Sequence, residues 1–132
     1  MTAVPGPDIS TFESLEFDVA SFDHEAHLAV AWRYLQHCDL LEAIGRYRDT
    51  LKRLTCKLGV PEKYHETITW FYLIAVSEAA TGAAKTDWNR FRTENPALFR
   101  REPSVIRRFY SAARLMSEEA RERFVLPDLQ PG

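Results

Sequence analysis

Residues 68–76 read ITWFYLIAV, and this stretch decides the fold. It is apolar nearly all round, interrupted only by Thr69. It shows none of the polar/apolar alternation of a half-exposed strand. A helix apolar on every side is normally the buried, central one, with other helices packed around it. The run is far shorter than the roughly 20 residues a membrane-spanning helix needs. The predicted central helix opens at Pro61, a residue tolerated in a first helical turn, and continues to about Ala80 before Gly82.

Helical periodicity extends outward from this run in both directions. Upstream, Asp23 is a good N-cap for a helix over about 23–37, in which Leu28, Ala31 and Leu35 recur at helical spacing with Trp32 beside them. A second helix is predicted over about 39–58. Leu41, Ile44, Leu51, Leu54 and Leu58 form its apolar stripe, and Gly59 is placed to stop it. Downstream, shorter helices are predicted over about 87–92 with Thr86 as cap, over 104–116, and after Ser117 through EEARERF. Residues 1–22, with Pro5 and Pro7, read as an extended N-terminal arm pinned by Phe12, Leu15 and Phe17. The bundle domain is expected over 23–126, and residues 127–132 as an irregular tail. The expectation is a single-domain all-α helical bundle, with an up-down-up core of three helices and shorter C-terminal helices.

A net charge of −2 lacks the basic excess of a dedicated nucleic-acid binder. The first residues, MTAVPGPDIS, lack the basic-then-apolar pattern of a secretory signal, so a cytoplasmic protein without membrane association is expected. Cys38 and Cys56 are too few for a disulfide framework and lack CxxC spacing. Two free thiols are expected.

Three of the four histidines fall near the starts of two predicted helices: His24 and His27 in FDHEAH, and His65 in YHET. In an up-down-up bundle those two helix starts lie at the same end. His24 and His27, three apart, share a face and continue the apolar stripe, so both point inward. With Glu66 beside His65, the set His24, His27, His65 and Glu66 has the donor types of a divalent transition-metal site for zinc, iron or copper. Glu66 is also a candidate general base, with the Tyr64 hydroxyl close by. A small metal-dependent enzyme of hydrolytic or oxidative type is therefore expected. Its small-molecule substrate would be anionic, with Arg107 and Arg108 as candidate substrate contacts. Two other readings use the same residues. One is metal-free acid–base catalysis. The other is a non-enzymatic binding module in which the histidines bond to backbone and do no chemistry.

The combination FDHEAHLAVAWRYL, then YHETIT, then FYS and a near-terminal FVLPDL resembles a family of small, mostly bacterial helical proteins with an HxxH…YHET pattern. The resemblance implies that His24, His27, His65 and Glu66 belong together as a unit. It implies no particular activity.

Overall fold

A computed structural model describes residues 4–129. Residues 1–3 of the expected arm and 130–132 of the expected tail lie outside the described residues. Among the described residues the protein is all helix and turn, with no strand. Its α-helices are α1 (Ile9–Ser14), α2 (His24–His37), α3 (Leu40–Lys57), α4 (Glu66–Ala79), α5 (Trp88–Glu94), α6 (Pro96–Phe99), α7 (Ala112–Leu115) and α8 (Glu118–Glu122).

The long helices α2, α3 and α4 pack against one another, with α4 also contacting α8. Asp23 and Asp39 start α2 and α3 as the sequence predicts. Their carboxylates accept from the Ala26 and Glu42 amides at 2.9 and 2.8 Å. Gly59 follows α3 at φ +75°, a conformation a side chain would strain. Leu28, Tyr34, Tyr47, Leu73 and Val76 fill the main core. A smaller second core of Ile106, Tyr110, Ala120 and Val125 closes the far side of α4. No helix among the described residues is long and apolar enough to cross a membrane.

Three expectations need correction. First, the N-terminal segment is not an extended arm. Asp8 caps α1 by accepting from the Thr11 amide, and Phe12 is wholly buried in the main core. The Arg33 guanidinium holds the chain ahead of α1 by donating to the carbonyls of Val4, Pro5, Gly6 and Pro7. Second, the helix predicted over 104–116 is broken into a 3-10 turn, Val105–Arg108, and α7. The Ser111 amide and hydroxyl both donate to the Asp128 carboxylate, so Ser111 leaves the helical ladder and caps α7 instead. Third, Asp87 rather than Thr86 caps α5, by accepting from the Arg90 amide.

A further difference reaches the site. Pro61 opens only a 3-10 turn, Pro61–Lys63. Tyr64 is then extended, and α4 starts at Glu66 with His65 as its cap. The imidazole Nδ1 of His65 accepts from the Ile68 amide at 3.1 Å, the role a serine or aspartate usually fills. His65 therefore precedes the helix rather than lying inside it.

Candidate functional site

The starts of α2 and α4 and the end of α3 meet at one end of the bundle, as up-down-up packing requires. They enclose an open-mouthed cavity of about 660 Å3. Leu28, Leu51, Leu54, Ile68 and Leu73 make much of its wall, and Phe22 brings the N-terminal segment against it. His24, His27, His65 and Tyr64 also line it. The three histidines thus border one cavity without forming a ligand group among the described residues. What each ring does there differs.

Backbone partners settle the protons, because a carbonyl can only accept and an amide N–H can only donate. His65 Nε2 donates to the Leu115 carbonyl at 2.7 Å, while its Nδ1 receives the Ile68 amide. Both its nitrogens are used, and the ring ties α4 to the end of α7. His24 Nε2 donates to the Leu98 carbonyl at 2.8 Å and ties α2 to α6, with its ring edge-on to Tyr72. His27 Nδ1 donates to the Asp23 carbonyl at 2.8 Å, and its ring stacks on Phe22 with centroids 3.9 Å apart. That leaves His27 Nε2 as a lone-pair acceptor. It has no partner among the described residues, and it is not among the sealed-off polar atoms, of which Trp70 Nε1 is the example. Burial pushes the His27 pKa below its ordinary value, more than its bond to Asp23 restores, and the neighbouring His24 lowers it further. His27 is held neutral with one nitrogen open.

Glu66 belongs to a different cluster. It is 6 % exposed, does not line the cavity, and pairs with Arg48, whose Nε and Nη2 lie 3.0 Å from its Oε2. Tyr64 donates its hydroxyl to the other carboxylate oxygen. Burial pushes the Glu66 carboxyl upward. The bonds from Arg48 and Tyr64, with the charges of Arg48 and Lys52, outweigh it and hold the pKa below its ordinary value. Burial and the Glu66 bond raise the Tyr64 pKa well above its ordinary value. A carboxylate so well satisfied is a weak base, and a phenol so placed gives up its proton reluctantly.

These arrangements bear on the expected metal set. His65 has no free lone pair, and Glu66 is neutralised by a guanidinium. No group of three or more His, Cys, Asp or Glu that could hold a metal ion occurs among the described residues. His24, His27, His65 and Glu66 as arranged do not fit a common ion. Arg107 and Arg108 also lie away from the cavity, on an exposed turn where Arg107 donates to the Tyr110 carbonyl. The cations on the cavity wall are instead Lys63 and Arg101. Lys63 sits beside the YHET motif and was within reach of the sequence argument. Arg101, in a turn after α6, had no local signal. Cys38 and Cys56 are free thiols, as expected.

Compared with protein-family models, with curated proteins and with solved structures, the chain matches none.

Proposed function

We propose that this protein binds a small organic molecule in the cavity between α2, α3 and α4, and that His24 and His65 serve as structural clamps around it. The observation that carries this reading is the cavity itself. Its volume of about 660 Å3 is that of a small-molecule site, and its wall is largely aliphatic and aromatic with a few polar groups set into it. A folded domain that needed only stability would close such a space, since unfilled apolar volume forfeits packing.

The test is binding of a neutral apolar fluorophore, N-phenyl-1-naphthylamine, to the wild type and to Leu51→Trp. Leu51 is a half-buried wall residue, and the indole would occupy the space. Saturable fluorescence enhancement in the wild type, lost in the variant with its helical circular dichroism unchanged, is the expected result. No enhancement in the wild type overturns the reading. Near-stoichiometric transition metal bound to the purified protein, and lost in both His27→Ala and His65→Ala, would overturn it in favour of the metal-dependent enzyme expected from sequence. Such a site would require His65 to release at least one of its two backbone bonds.

A further inference from the structure

Most polar groups on the cavity wall are already spoken for. The Tyr47 hydroxyl donates to the His27 carbonyl at 3.0 Å and the Tyr64 hydroxyl to Glu66. The Thr55 and Thr69 hydroxyls donate to backbone carbonyls one turn earlier in the chain, and both His65 nitrogens are engaged. Asp23, the one acid on the wall, spends an oxygen on the Ala26 amide. Apart from the Tyr72 hydroxyl, which faces Ser104 and Ile106, and the second Asp23 carboxylate oxygen, the uncommitted groups are of two kinds. One kind is an acceptor: His27 Nε2, with His24 Nδ1 likewise without a partner among the described residues. The other kind is cationic: Lys63 and Arg101, both exposed, and neither in an ion pair or side-chain hydrogen bond among the described residues.

A wall with open acceptors and unpaired cations selects for the converse ligand. Resting on the cavity reading above, we propose that the ligand class is an organic carboxylate with an apolar, aromatic-sized body and an O–H or N–H donor on that body. The carboxylate meets Lys63 and Arg101, the body packs among the leucines and Phe22, and the donor is received by His27 Nε2. An imidazole anchored through Nδ1–H on a backbone carbonyl presents Nε2 in a single orientation, which suits recognition of one directed donor. A ligand lacking the donor leaves that nitrogen desolvated and unpaired. A ligand lacking the carboxylate forgoes the charge-assisted bonds to Lys63 and Arg101.

The experiment compares three probes by calorimetric titration at low salt: 4-hydroxyphenylacetate, phenylacetate without the donor, and 4-hydroxyphenethyl alcohol without the charge. The expected result is that 4-hydroxyphenylacetate binds more tightly than either partner, by about fivefold to tenfold. Lys63→Ala/Arg101→Ala should erase the advantage over the alcohol and leave the advantage over phenylacetate. His27→Phe keeps a ring against Phe22 and should do the reverse. The exposed double variant keeps the charge half of the test intact even if His27→Phe fails to fold. Equal binding of the three probes overturns the ligand class while leaving the cavity reading in place. So does no binding of any of them by a protein that still takes up the neutral naphthylamine. Loss of both kinds of binding overturns the cavity reading with it.

Discussion

Two polar clusters flank the start of α4, and they differ in completeness. On one side Arg48, Glu66 and Tyr64 satisfy each other, with Glu66 receiving three hydrogen bonds from Arg48 Nε and the Tyr64 hydroxyl. On the other, His27 and His24 each commit one nitrogen to backbone, and Lys63 and Arg101 stand at the cavity with no partner among the described residues. A closed cluster is explained by folding alone. Each buried charge has its counter-charge, and removing either would strand the other. An open cluster has no such internal explanation, because its free acceptors and cations have no counterpart among the described residues. The contrast also separates histidines that look alike in sequence. His65 works like a cap residue, whereas His27 presents a lone pair.

The contrast makes an ordered set of predictions. The largest effect should come from Glu66→Ala, which leaves Arg48 without its counter-charge. About 2–3 kcal/mol of stability should be lost in urea denaturation, less than for a fully buried pair because the Arg48 side chain is 33 % exposed. A loss under about 0.5 kcal/mol would mean the closed cluster is not a structural unit. Next comes Thr67→Val, where α4 meets the C-terminal segment. The buried Thr67 hydroxyl donates to the Ala120 carbonyl at 2.7 Å and accepts from the Val125 amide, fastening the C-terminal segment. Its loss should cost about 1–2 kcal/mol by the same measurement.

His65→Ala should cost about 1 kcal/mol through the lost cap and the stranded Leu115 carbonyl. His27→Phe should stay within about 0.5 kcal/mol of wild type. If the two substitutions prove equally costly, the distinction between closed and open histidines fails.

The pH dependence sharpens the same point. The folded-state pKa of His27 lies below its ordinary 6.5, so the unfolded chain takes up the proton first. Its contribution to stability is full above that value and is lost as pH falls below it, with Asp23 and His24 as the neighbouring titratable groups. Thermal melts of His27→Phe should lack that loss. Wild type and variant alike should still lose the Glu66 contribution as pH falls below about 4.5, since that carboxyl is also depressed in the folded state. The smallest effects should be those of Lys63→Ala and Arg101→Ala. Each should shift stability by no more than about 0.5 kcal/mol, because both residues are exposed and make no ion pair among the described residues.

Much of the fold was legible because it rests on local rules. Asp23, Asp39 and Ser117 are caps, Gly59 is a stop, and ITWFYLIAV must be enclosed; each declares itself within a few residues. Apart from the local choices of cap at Asp87 and His65, what was misread rests on distant partners. Phe12 and the helix around it are held by α2 and α3 through Arg33, and through Glu13 with Arg46 and Tyr34. The break before α7 depends on Asp128, 17 residues beyond Ser111.

The candidate site divides the same way. The sequence by itself determined that His24, His27 and His65 stand near the starts of two packed helices, because the local capping and breaking residues impose it. It could not determine the state of each ring. That depends on which nitrogen meets the carbonyls of Leu98, Asp23 and Leu115, and two of these lie more than 45 residues away from their histidine. Only the tertiary structure turned Glu66 toward Arg48 and brought Arg101 to the cavity. A carboxylate with a guanidinium within reach takes that pairing over any role its neighbours in sequence suggest, because burying it unpaired would cost more than the pairing does.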